Sequence, residues 1–224
     1  MILEKLDGTL ISLYHDWVIN KWCVSTSGMA EAEGLVNNKD NTSFADLFWN
    51  TVESKYGFTT KYLDKNNTYC LELTTPYNIV VKPHGESSAT LLMVRNNKTL
   101  EECDYSSLSI ISKNIGVPLV KCYNLNHNNI DVLIDTFKDM PWSEEGYVVV
   151  DANFNRVKIK NPAYVACHHL KSKTAEYNII EIVKSNEIEE FAATFVERRD
   201  ELYRLKANYD ALVNKLTNLS NTLV

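Results

Sequence analysis

Hydrophobic periodicity changes once along this chain, and that change fixes the class of fold it can adopt. Up to about Leu170 the apolar residues come in short runs rich in Val, Ile, Tyr, Thr and Leu, broken by clusters of Asn, Gly and Pro. Such runs read as strands: Thr9–Tyr14, Trp17–Ser25, Thr68–Thr74, Ile79–Lys82, Thr90–Arg95, Tyr147–Asp151 and Val157–Lys160. A helix is expected over Ser43–Tyr56, with Ser43 as N-cap and a stripe of Phe44, Leu47, Phe48, Thr51 and Val52. A weaker one is expected over Ser106–Ile115. From Ala175 onward there is no Pro or Gly. There Tyr177, Ile180, Ile188, Phe191, Phe195, Leu202, Leu205, Tyr209, Leu212 and Leu216 recur at helical spacing, which predicts two or three amphipathic helices. Strands followed by helices make an α+β chain, with a core over residues 1–170 and a helical region over 171–224.

At 224 residues the chain can bury a core without disulfide or metal staples. Its 45% apolar and 23% charged content excludes wholesale disorder. No apolar run approaches the ~20 residues of a membrane-spanning helix, and Met1–Asp7 lacks the basic and apolar regions of a secretory signal. Five scattered cysteines, Cys23, Cys70, Cys103, Cys122 and Cys167, never spaced C-x-x-C, are expected to be reduced thiols in a cytoplasmic protein. The net charge of −6 rules out a surface that grips nucleic acid everywhere, yet leaves room for a local basic groove.

Four short segments could carry chemistry. In Glu4-Lys5-Leu6-Asp7-Gly8, residues two apart on an extended chain share a side, so Lys5 and Asp7 go together. Gly8 lets the backbone turn or approach a ligand closely. Glu72 lies between Leu71 and Leu73, where a carboxylate either faces outward or needs a partner. Glu145 opens the apolar run Gly146–Val150. Lys158 and Lys160 share one face of a strand that returns beside it through Asn153-Phe154-Asn155. Taken singly, each has a plain alternative, such as a solvated edge strand defended by lysines.

Taken in order, the four segments resemble the covalent nucleotidyltransferases, the ATP-dependent ligases and mRNA capping enzymes. Glu4–Leu10, Leu-Glu-Leu-Thr-Thr-Pro-Tyr-Asn at 71–78, Leu-Leu-Met-Val-Arg at 91–95, Glu145–Val148 and Phe154–Val165 look like the phage tRNA-repair ligases of the RNA ligase 1 family. The resemblance implies antiparallel, curved β-sheets cradling a nucleotide, with flanking helices and a helical C-terminal lobe. It implies an ATP-dependent RNA ligase that forms a lysyl-AMP intermediate and joins RNA 5′-phosphate to 3′-hydroxyl ends, with ATP and Mg²⁺ as cofactors. Lys5 stands in the nucleophile's position, and Lys158 and Lys160 would stabilise the triphosphate and the departing pyrophosphate. Glu4, Asp7, Gly8, Glu72, Glu145, Lys158, Lys160 and Tyr164 would bind the nucleotide, Glu145 also serving the metal.

The sequence departs from the family pattern in three places. Ser27 stands where the family carries a basic residue before a Gly, and Ile79 stands where an Arg often follows the Pro-x-Asn. Only Met1–Glu4 precede Lys5, where relatives carry a longer segment. A separate polypeptide supplying that segment is one expectation. An inactive remnant or split-ligase half that binds RNA ends or a partner is the other.

Overall fold

The computed structural model describes residues 1–37, 40–77, 81–124, 130–171, 183, 188–189, 192 and 198–222. These divide into two units, Met1–Asp135 with Gly146–Ile159, and Thr136–Glu145 with Lys160–Val224.

In the first unit, β1 (Ile2–Glu4), β2 (Thr9–Asp16), β3 (Lys21–Thr26), α1 (Phe44–Tyr56), β4 (Asn67–Thr74), β5 (Ser88–Asn96), α2 (Tyr105–Ile115), β6 (Cys122–Tyr123), α3 (Ile130–Asp135), β7 (Gly146–Val150) and β8 (Arg156–Lys160) follow in order. They form two four-stranded sheets, β6-β1-β7-β8 and β3-β2-β4-β5. Register in the second sheet follows from alternation. Ile11 and Leu13 on β2, Leu71 and Leu73 on β4, and Ala89 and Leu91 on β5 are buried on one face, under Phe48 and Val52 of α1 and Leu108 and Ile115 of α2. Each large aliphatic side chain so buried contributes about 1.5–3 kcal/mol. A one-residue slip of β4 would turn Leu71 and Leu73 to the other face and bury Glu72, so the register is strongly specified. The same register sends Leu10, Ser12, Cys70 and Glu72 to the opposite face.

The helices begin where local chemistry starts them. Ser43 accepts the N–H of Asp46 at 3.0 Å ahead of α1, whose buried side chains are Leu47, Phe48, Thr51 and Val52. Asp104 caps α2, which starts one residue ahead of the expected Ser106, and accepts the N–H of Ser107 at 2.7 Å. The strand expected from Trp17 starts four residues later, because Asp16 accepts the N–H groups of Val18 and Ile19 and closes a turn. Of the strand expected over Ile79–Lys82, Ile79 lies outside the described residues, and Val81 and Lys82 sit in a bend.

One irregularity joins the two sheets. Cys70 pairs with Met93 and Leu71 with Leu91, so Leu92 has no partner on β4 and forms a bulge. Beside it, Leu91 donates its N–H to the Pro118 carbonyl at 2.8 Å and accepts from Val120 N–H at 2.9 Å. The segment bonded in this way runs directly into β6, an edge strand of the other sheet.

In the second unit, buried Asn161 organises the start of α4 (Pro162–Lys171). Its Oδ1 accepts the N–H of Ala163 at 3.0 Å, while Nδ2 donates to the carbonyls of Pro141 at 3.0 Å and Glu144 at 3.1 Å. Pro162 occupies the first helical position, where a missing N–H costs nothing. The last helix, α5 (Arg199–Thr222), carries Leu202, Leu205, Tyr209, Leu212 and Leu216 of the expected helical pattern, and Leu202 is fully buried. Ile188 is helical and buried, whereas Tyr177, Ile180, Phe191 and Phe195 lie outside the described residues. Among the described residues no helix is long and apolar enough to cross a membrane.

Candidate active site

Lys5 to Gly8 form the crossover from β1 in one sheet to β2 in the other, and the crossover is tied down along its length. Glu4 N–H donates to the Lys121 carbonyl and Lys5 N–H to the Gly146 carbonyl, each at 2.9 Å. Asp7 is buried, and its Oδ2 accepts the N–H groups of Val81 at 3.0 Å and Lys82 at 2.8 Å. These bonds account for the bend at 81–82, since amides committed to a carboxylate cannot join a strand ladder. His84 Nε2 lies 2.9 Å from the Asp7 carbonyl oxygen. Gly8 passes so close to β4 that a Cβ there would stand 2.5 Å from the Leu73 carbonyl oxygen. Asp7→Ala strands the two amides, at a cost of about 2 kcal/mol. A drop in melting temperature of roughly 4–8 °C is the expected result by calorimetry.

A cavity of about 530 Å³ opens beside this crossover, within the size range of nucleotide-sized ligand sites. Leu3, Leu92, Met93, Val120 and Val148 give it apolar wall, and Glu4, Lys5, Gly8, Glu72, Arg156 and Lys158 give it charge and a close backbone approach. Glu72 arrives there through the register of β4, and the bulge places the adjacent Leu92 and Met93 both on the lining. Cys70 also lines it, 3.8 Å from Ser12 Oγ. Burial pushes the Cys70 thiol up from its ordinary range, so at neutral pH it is protonated and a poor competitor as nucleophile.

Glu145, Lys160 and Tyr164 assemble separately, in the second unit. Lys160 Nζ lies 3.3 Å from Glu145 Oε1, on a carboxylate that is only 6% exposed. The same ammonium lies 5.8 Å from the centre of the buried Tyr164 ring. Tyr164 stacks on His168 in turn, with ring centres 6.5 Å apart.

The structure thus brings Glu4, Lys5, Gly8, Glu72 and Lys158 to one cavity wall, and Glu145, Lys160 and Tyr164 to another cluster. Asp7 is not on the cavity lining; its carboxylate is engaged by backbone amides. Ser27 is on that lining. Sequence reasoning overlooked Arg156 as a site residue. Its guanidinium meets both Glu102 oxygens, Nη1 to Oε1 at 3.0 Å and Nη2 to Oε2, and the side chain lines the cavity. The two partners are 54 residues apart, so only its place two residues before Lys158 could have signalled it.

No family model matches the chain. It is 26% identical over 259 aligned positions to a protein named RNA ligase from Rhodothermus phage RM378, an alignment covering 99% of this chain and 58% of that protein. The chain therefore spans under two thirds of that relative's length. Among solved structures it resembles an archaeal ATP-dependent RNA ligase, with a TM-score of 0.60 at 13% identity, covering 92% of this chain and 55% of the other. It also resembles a mutant RNA ligase of Naegleria gruberi with ATP and Mn, with a TM-score of 0.55 at 14% identity, covering 75% and 50%. In fold the chain is thus similar to solved ATP-dependent RNA ligases, and in sequence to a phage protein named RNA ligase.

Proposed function

We propose that the chain is an ATP-dependent RNA ligase of the RNA-repair type, with Lys5 as the residue that carries AMP. The observation behind this reading is the shared cavity of Lys5, Glu72 and Lys158, in a fold whose sequence relative is named RNA ligase. In the first step Lys5 Nζ attacks the α-phosphorus of ATP, an N–P bond forms, and the P–O bond to pyrophosphate breaks. Lys158 and Arg156 offset the charge that gathers on the phosphates, which is where preorganised cations contribute most. Glu72 orients the nucleotide, and Gly8 lets the backbone lie close to it. Glu145, Lys160 and Tyr164 keep the nucleotide- and metal-binding roles the resemblance gives them. An RNA 5′-phosphate then takes AMP from Lys5, and a 3′-hydroxyl attacks the activated end with AMP leaving.

Among the described residues no cluster of three or more His, Cys, Asp or Glu side chains could hold a metal unaided. A Mg²⁺ carried in on triphosphate oxygens needs only one or two carboxylates, and the resemblance gives that role to Glu145. Bound there, it would neutralise phosphate charge and act as a Lewis acid.

Intact-mass measurement after incubation with ATP and Mg²⁺ tests the proposal: one AMP is expected per chain, mapped to Lys5 by peptide analysis. Lys158→Ala is expected to slow adduct formation by about 10²–10³-fold, as removal of a preorganised charge-stabilising donor does. Bound nucleotide with no adduct, or AMP mapped to another residue, overturns the reading.

A further inference from the structure

Beyond the cavity, the turn joining β2 and β3 presents apolar side chains to water. Trp17 is 62% exposed and Val18 93%, and Tyr62, on the 3-10 turn Thr60–Tyr62, is 60% exposed. A patch of this kind marks an interaction site more often than an accident of folding. Its presentation is fixed. Asp16 Oδ1 accepts the N–H of Val18 at 2.7 Å and of Ile19 at 3.3 Å. The His15 and Trp17 rings meet edge to face at 4.8 Å, and Lys65 reaches across to donate to Asn20 Oδ1 at 3.2 Å.

Charge decides what covers it. Lys65 Nζ lies 5.9 Å from the centre of Trp17, and Lys61 Nζ 5.7 Å from the centre of Tyr62. Lys21 is exposed at the first position after the turn. The nearby carboxylates, Asp16 and Asp64, are both engaged by backbone amides, Asp64 accepting the N–H of Asn66 at 2.9 Å. Each of the two exposed rings thus has a lysine beside it, with Lys21 exposed at the end of the turn, in a chain whose net charge is −6. Apolar protein interfaces deplete lysine from their centres. Single-stranded nucleic acid needs this combination, a ring face for each base and an ammonium for each phosphate.

We propose that the Trp17–Lys21 turn, with Lys61, Tyr62 and Lys65, is a second contact for single-stranded RNA, bases stacking on Trp17 and Tyr62. The identity of the ligand rests on the RNA-ligase reading of the cavity. At about 3.3 Å per residue, the turn lies roughly 23 Å along β2 from Thr9, which follows the nucleophile's crossover. A strand engaged at both places must cover that distance, so the contact favours RNA of several nucleotides over a dinucleotide.

Fluorescence anisotropy with 5′-phosphorylated single-stranded RNA of about 16 nucleotides, the upper end of site sizes on comparable platforms, tests this at several salt concentrations. Trp17→Ala is expected to weaken binding about tenfold, Trp17→Phe to restore most of it, and Tyr62→Ala to weaken it several-fold. Lys61→Gln with Lys65→Gln should reduce the salt slope by roughly 0.7 per lysine. AMP transfer to Lys5 should stay at the wild-type rate in all four, which also reports that each is folded. Unchanged RNA affinity across the set overturns the proposal, as does an unmodified chain that binds no RNA. A lower oligomeric mass in Trp17→Ala with RNA affinity intact also overturns it and assigns the turn to self-association. RNA binding lost in Trp17→Ala and restored in Trp17→Phe, in a chain that never forms the AMP adduct, upholds the RNA contact while the ligase reading fails.

Discussion

Lys5→Ala and Lys5→Arg are both expected to abolish the AMP adduct, and with it ATP–pyrophosphate exchange. They separate two roles of the side chain. Arginine keeps a positive charge in the cavity but its guanidinium cannot be deprotonated in a protein, so it has no lone pair to offer phosphorus. ATP binding by Lys5→Arg should therefore stay within about threefold of the unaltered chain, a difference below ~0.7 kcal/mol. Loss of binding and chemistry together would mean that Lys5 serves as a phosphate clamp, with the nucleophile elsewhere. An adduct that survives in Lys5→Ala would remove the central assignment altogether.

Gly8→Ala is expected to slow adduct formation as well, through the backbone. The added methyl meets backbone, the Leu73 carbonyl at 2.5 Å and Glu72 Cγ at 3.1 Å, so no rotamer change relieves it. Either the crossover lifts from β4 or β4 shifts, at about 1–3 kcal/mol, as for overpacking elsewhere. The functional loss should exceed the loss of stability, because Lys5 lies three residues away in the same segment. A displacement of about 1 Å at a reacting group costs about 10²-fold in rate. Adduct formation measured well below the melting temperature distinguishes the two, since a folded and slow variant is expected. Wild-type rates in Gly8→Ala would show that the close approach at Leu73 does not set the nucleophile's position.

Much of this was legible in the residues themselves. The strand pattern was readable in β2, β4, β5, β7 and β8, runs of five or more residues rich in Val, Ile, Tyr, Thr and Leu, even though β8 is largely exposed. The β1 and β6 strands were not, since three residues and two residues carry no measurable period. Leu71-Glu72-Leu73 left Glu72 either facing outward or needing a partner, and it lies on the face away from the core, on the cavity lining. No helix was expected directly after Lys160, because nothing local reveals that Asn161 starts one by gathering carbonyls from 141 and 144. Asp7 behaves similarly. Its partners are amides at 81 and 82, and contacts between backbone and a distant side chain leave no mark on either segment. The pairing of Arg156 with Glu102 was hidden for the same reason.

The position of Lys5 on the strap between two sheets carries a cost for any change in what the chain accepts. The strap's reach and the separation of the layers are geared together, because the same four residues span one and hold the other. The hydrogen bonds of Leu91 with Pro118 and Val120 hold the segment that leads into β6 against β5. Selection for a new nucleotide would therefore have to work through side chains such as Leu92 and Met93, with the frame left as it is.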